Sequence, residues 1–170
     1  MKNKKYVRIV FLIYLLVLLK VIVFKFPLDQ MRGIVNSWQK NVIWEGLDTA
    51  NFTFFKTIKM YIRYADRLNS FENLVGNIVA FVPFGFLLPF VIKWGKNFFV
   101  MFFHAFIFVL GIELFQLFSA FGAFDVDDIL LNCLGAVWGW LFYFIYDKVT
   151  VFLKRREVIT NENSEENEIA

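Results

Sequence analysis

Between Gly111 and Gly139 the chain reads GIELFQLFSAFGAFDVDDILLNCLGAVWG, where polar residues interrupt some of its most apolar sequence. Glu113, Gln116, Asp125, Asp127, Asp128 and Asn132 all fall here. An ionisable group in hydrocarbon is expensive and must face a bundle interior or a wet cavity, so the stretch constrains both the environment and the site. Glu113 and Gln116 are spaced i, i+3, and Asp128 and Asn132 i, i+4, so each pair shares one helix face. Gly135 and Gly139 continue the face of Asp128 and Asn132 as a ridge of small residues that lets a neighbouring helix approach closely.

The rest of the composition agrees with a bilayer. Apolar residues make up 59% of the 170 positions, with 24 Phe, and the surplus is gathered into runs, whereas a soluble chain has roughly half. The length suits one domain. The single Cys133 rules out an internal disulfide, and with His104 alone beside it there is no zinc motif. Basic residues flank the apolar runs rather than forming a nucleic-acid module.

The expected fold is an all-α membrane protein: four transmembrane helices, with amphipathic interfacial helices between the first and second spans. Residues 1–8 form a basic N-terminus, and Ile9 to Phe26 are read as an uncleaved first span. A signal peptide has the same basic-then-apolar layout, but no small-residue cleavage site follows. Lys20 inside this span either snorkels to the interface or acts as counter-ion to Glu113. In residues 27–71, Leu28, Met31, Val35, Trp38 and Val42 follow helical spacing, as do Phe55, Ile58, Ile62 and Ala65. Lys56, Lys59, Arg63 and Arg67 lie largely opposite the second set, which suits a helix in the membrane interface or docked over the bundle mouth. Gly46 to Asn51 reads as the turn between the two segments, and Asn51-Phe52-Thr53 matches a glycosylation sequon. Residues 72–92, 98–119 and 128–146 are the remaining spans, with Pro83 kinking the second. His104 reads as a packing residue, and the acidic tail 157–170 as disordered.

Basic clusters at the N-terminus, at Lys93–Lys96 and after Tyr146 belong in the cytoplasm by the positive-inside rule, which places both termini inside. Asn73 and Asn77 then open the second span from outside. Glu113 lies about 22 Å along the third at 1.5 Å per residue, in a hydrocarbon core of about 30 Å. Asp128 and Asn132 open the fourth. The polar residues of three helices thus fall at one depth, in the outer leaflet. Oxygen donors of this kind suit a hard divalent cation such as Mg²⁺ or Ca²⁺, though no cofactor is expected. They would equally hydrogen-bond a polar head group, and Glu113 and Asp128 could share acid and base roles. The structural alternative has Asp127 capping the fourth helix, Asp128 favouring its positive end, and the amides bonding between helices.

Three blocks carry a family resemblance: NFTFFKTIKMY at Asn51–Tyr61, ENLVGNIVAFVPFGFLLP at Glu72–Pro89, and IELFQLFSAFGAFDVDDILLNCLGAVWG at Ile112–Gly139. Over Asn51 to Tyr146 the chain resembles the VanZ-like family of bacterial membrane proteins. Asn77, Pro83, Gly85, Glu113, Gln116, Asp125, Asp128, Asn132 and Gly135 fall on the family pattern. Phe54 stands where the family usually has Pro, and Gly122–Ala123 where many members carry Arg. The resemblance implies a multi-pass protein of a Gram-positive cell membrane and a link to low-level resistance to the lipoglycopeptide teicoplanin. The expectation is a non-enzymatic envelope protein whose polar pocket, formed by Asn73, Asn77, Glu113, Gln116, Asp125, Asp127, Asp128 and Asn132, binds an amphiphile or lipid head group. Its rivals are an enzyme acting on a lipid-linked envelope precursor through Glu113 and an Asp, and a scaffold whose polar residues only fix packing.

Overall fold

The computed structural model describes residues 2–24, 27–36, 42–64 and 70–169. Seven helices follow one another: α1 (Lys2–Ile22), α2 (Leu28–Asn36), α3 (Val42–Thr49), α4 (Lys56–Arg63), α5 (Ser70–Val91), α6 (Phe98–Ser119) and α7 (Val126–Ile169). Among the described residues three stretches are long and apolar enough to cross a membrane: Glu72–Val91, Phe98–Ser119 and Val126–Thr160. Polarity runs inside out. Glu113, Gln116, Asp127 and Asn132 are buried, while Phe99, Phe103, Trp138 and Phe142 are exposed. Water would penalise that arrangement, and a bilayer favours it.

Close approach of α5 and α7 organises the bundle. A Cβ at Gly135 would overlap the carbonyl of Ile78, one at Gly139 that of Val82, and one at Gly85 that of Ala136. From Ile78–Gly135 to Val82–Gly139 the contacts advance four residues along both helices, so α5 and α7 run parallel and touch backbone to backbone. Without side chains between them, dispersion contacts and weak Cα–H···O bonds hold the pair, as between membrane helices generally. Phe81, Phe84, Met101, Ala105, Val109 and Ala136 fill the core beside this seam. Pro83 and Pro89 both lie within α5, which stays helical through them. The Tyr14 hydroxyl of α1 donates to the Ala80 carbonyl at 2.7 Å, within a turn of Pro83. Phe11 packs against Phe84 with the rings tilted and their centroids 5.6 Å apart, so α1 docks on the proline-bearing part of α5.

Several expectations need correction. The first helix ends at Ile22 rather than reaching Phe26. The N–H groups of Val23 and Phe24 both turn back to the Leu19 carbonyl, closing the helix. Lys20 does not pair with Glu113; its Nζ donates to the Phe24 carbonyl at 2.6 Å, capping its own helix end. Gly46 is no turn but lies inside α3, because a Cβ there would overlap the Leu117 carbonyl of α6. The helix that opens the fourth span does not end near Tyr146 or dissolve at Glu157, but continues to Ile169. No Gly or Pro occurs after Gly139, and extending an existing helix costs far less than nucleating one. Asn97 caps α6, accepting from the Phe99 and Val100 N–H groups at 2.9 and 3.3 Å. His104 sits on an exposed face with Nδ1 2.7 Å from the Val100 carbonyl, and Cys133 is buried in the core. Trp38, Ala65 and Arg67 lie outside the described residues.

The seam makes a clean prediction. Gly85→Ala, Gly135→Ala and Gly139→Ala should each destabilise the folded protein in detergent by about 1–3 kcal/mol through overpacking. Gly76→Ala, which would meet nothing within 4 Å, should leave the melting temperature unchanged or raise it. Equal melting temperatures for all four variants would disprove the backbone contact.

Candidate functional site

The site grows from the first turn of α7. Asp125 is its N-cap: the Oδ1 atom accepts from the Asp127 N–H at 2.8 Å. The same carboxylate accepts from Asn51 Nδ2 at 2.8 Å and from the Thr57 hydroxyl. Asn51 also receives the Thr53 N–H and forms a parallel bridge with Asp125, so the chain before α4 is stitched to the chain before α7. Asn51 is buried with its amide committed, which leaves the sequon match without an accessible acceptor.

Asp127 does not cap its own helix. Its carboxylate accepts from the backbone N–H groups of Phe55, Thr57 and Ile58 at 2.6, 2.8 and 3.2 Å, the N-terminus of α4. Phe55 occupies the N-cap position with a left-handed φ of 64° and offers no side-chain oxygen. Asp127, fully buried, supplies the cap from another helix. The negative charge also faces the positive end of α4's peptide dipoles. The basic helix is therefore docked on the bundle, with Ile62 and Met60 left exposed along it.

Glu113 is 1% exposed and accepts the Asp125 N–H on Oε2 at 2.9 Å, so it ties the α6–α7 loop back to α6. Asn77 Nδ2 donates to Asp128 Oδ1 at 2.7 Å, joining α5 to α7. Gln116 Nε2 reaches the Ile22 carbonyl at 3.4 Å, a long bond to the end of α1. Asn132 is buried one turn below Asp128, and its Oδ1 finds no donor among the described residues.

These bonds frame a cavity of about 300 Å³ between the ends of α1 and α4 and the first turns of α5 and α7. Asn73, Asn77, Gln116 and Asp128 line it, together with Tyr61 and Glu72. The other four site residues of the sequence reading do not. Glu113, Asp125 and Asp127 are turned to the loops and to α4, and Asn132 lies beneath. Glu113 thus does not line this cavity with Asp128. Tyr61 escaped the sequence reading, although it ends the first of the three blocks. Burial first, and then the Asp128 and Asp125 carboxylates, push its hydroxyl above the ordinary phenol range, with a hydrogen bond to Asn73 opposing them. Among the described residues no group of three or more His, Cys, Asp or Glu is placed to hold a metal. The Asp125 and Asp127 oxygens are already engaged by N–H and O–H donors.

Beside the cavity, across the last turn of α1, lies an apolar groove of about 450 Å³. Leu19, Val23, Phe24, Phe108, Ile112 and Phe115 wall it. Val21 and Ile22 face the polar cavity, and Val23 and Phe24 the apolar groove.

A model of the VanZ/LLP1 family matches residues 11–147. The chain belongs to the VanZ/LLP1 family. Protein VanZ of Enterococcus faecium is 25% identical over 122 residues, covering 69% of this chain and 75% of that relative. No solved structure matches. The VanZ/LLP1 match takes in every residue of the polar cluster and stops before the last turns of α7.

The cap supplied by Asp127 is testable by hydrogen exchange. In Asp127→Ala the amides of Phe55, Thr57 and Ile58 should exchange faster, with a stability loss of about 1–3 kcal/mol for unsatisfied buried donors. Unchanged exchange at those three amides would mean that the carboxylate is not their partner.

Proposed function

We propose that this VanZ/LLP1 protein is a four-span protein of the bacterial cell membrane that holds an amphiphile by its head. The polar cavity takes the head group from the outer leaflet, and the groove between α1 and α6 takes the alkyl chain. The observation that carries this reading is the adjacency of the two: one turn of α1 separates a polar cavity from an apolar groove. Glu72 and Asp128 are acidic, and among the described residues no basic side chain lines the cavity, so a head group bearing an ammonium or several hydroxyls suits it. Lys56, Lys59 and Arg63 on the docked α4 stand ready for a neighbouring phosphate.

In this reading α1 is the fourth span. Its apolar part, from Ile9 to Ile22, extends about 21 Å at 1.5 Å per residue. The long side chains of Arg8 and Lys20 snorkel from its two ends to meet a hydrocarbon core of about 30 Å. Leu12, Ile13, Leu16 and Val17 are exposed along its outer side, where lipid would cover them. Both termini then lie in the cytoplasm, with α2, α3 and α4 outside at the interface. A cavity of about 300 Å³ encloses a compact head group, not a whole glycopeptide. The proposed link to teicoplanin resistance therefore runs through the envelope lipid that the protein holds.

Two measurements test this. In a sensitive Gram-positive host, wild type should raise the teicoplanin concentration needed to stop growth. Asp128→Asn and Asn77→Leu, at matched membrane levels, should fall back to the empty-vector value. Full protection by both variants would remove the cavity from the function. For the topology, a Cys133→Ser background carrying Ala123→Cys should react with an impermeant maleimide on intact cells, and one carrying Trp94→Cys should not. The opposite pattern would overturn the orientation.

A further inference from the structure

A second cavity, about 520 Å³, lies at the opposite end of the bundle. From Asn77 to Ile92 along α5 is about 22 Å at 1.5 Å per residue, so the two cavities share no wall. Four cationic side chains from two separate parts of the chain converge on the second one. Lys4 and Arg8 come from the first turns of α1, and Lys93 and Lys96 from the turn between α5 and α6. A single carboxylate, Asp147 of α7, faces them. It is already engaged: Lys96 Nζ donates to its Oδ1 at 2.9 Å, and the Tyr143 hydroxyl donates to the same atom at 3.3 Å. That is the one ion pair among the described residues, so Lys4, Arg8 and Lys93 face the cavity with no carboxylate to balance them. Below the charges the walls turn apolar, with Val7, Phe90 and Ile92.

We propose that this cavity binds the phosphate-bearing head group of an anionic lipid. Concentrated positive charge at a membrane end could serve only to orient the chain, but orientation requires charge in short flanking segments and nothing more. Here charges separated by more than eighty residues in sequence meet around one hollow. A phosphate would offer oxygens to Lys4, Arg8 and Lys93 together, with Arg8 able to bind two of them side by side. The apolar lower wall suits the glycerol and first methylenes of a lipid better than it suits a free anion, which would leave that wall against water. Basic pockets between membrane helices hold anionic head groups for these reasons. Lys4 and Arg8 precede residues 11–147, which the family model matches.

The test uses the full chain in a neutral detergent, titrated with phosphatidylglycerol, phosphatidylcholine, inorganic phosphate or pyrophosphate while the melting temperature is followed. Phosphatidylglycerol should raise it saturably, and phosphatidylcholine and the two inorganic anions should not. The double variant Arg8→Gln, Lys93→Gln should weaken the phosphatidylglycerol response about tenfold or more, as expected for two lost charges near an anionic head group. Lys154→Gln with Arg155→Gln removes the same charge outside the cavity and should leave the response intact. If the neutral double variant does not fold, the charge-preserving exchange of Arg8→Lys with Lys93→Arg should still fold and bind. Equal losses in the two neutral pairs would reduce the effect to diffuse attraction, and a response to inorganic phosphate alone would reassign the site to a soluble anion. No preference for phosphatidylglycerol over phosphatidylcholine would end the proposal outright.

Discussion

The backbone contact between α5 and α7 is the constraint from which the rest follows. Two helices that meet through glycines and carbonyls have little freedom to slide, because each glycine admits one opposing carbonyl. That fixed register brings Asn77 within 2.7 Å of Asp128 and sets the polar first turns of the two helices at one level. Lengthening any of the three glycine side chains would separate the helices and open the polar cluster with them. The small residues are therefore as much a part of the cavity as the residues that line it.

Around that seam the polar groups divide by task. Asp125 and Asp127 consume their oxygens on backbone N–H groups, the Thr57 hydroxyl and the Asn51 amide, and Glu113 Oε2 takes the Asp125 N–H, tying α4 and two loops to the bundle. Asn73, Asn77, Gln116 and Asp128 remain on the wall of a cavity. A buried carboxylate is tolerable in an apolar setting when several donors surround it. The same acidic run thus contributes one group to a candidate binding wall and two to the scaffold that shapes it.

Much of this was legible in the sequence because it is written locally. Apolar runs bounded by charges marked the cores of α5, α6 and α7, and the i, i+3 and i, i+4 spacings picked out which polar residues share a face. The small-residue ridge at Gly135 and Gly139 was visible for the same reason. What escaped depends on partners far along the chain. Nothing around Asp127 says that it caps a helix some seventy residues earlier, since its own position in the first turn of α7 is explanation enough. Gly46 looks like a turn until the Leu117 carbonyl of α6 is set against it. The end of α7 was misread because composition reports solvation, whereas helix continuity depends on the absence of a stop signal. The basic residues of the second cavity had a sufficient local reading as orientation signals, and only their convergence sets them apart.

The uninterrupted course of α7 has a mechanical consequence. At 1.5 Å per residue its 44 residues extend about 66 Å, roughly twice the hydrocarbon thickness. Asp128 at one end and the glutamate-rich turns at the other belong to a single hydrogen-bonded rod with no Gly or Pro hinge beyond Gly139. The rod is clamped to α5 over its first half, from the glycines to Tyr143 and Tyr146, which pack against Phe90. Any change in tilt at that clamp must reappear, enlarged by the longer arm, at the far turns. The helix is in effect a pointer, and its pivot lies beside the cavity.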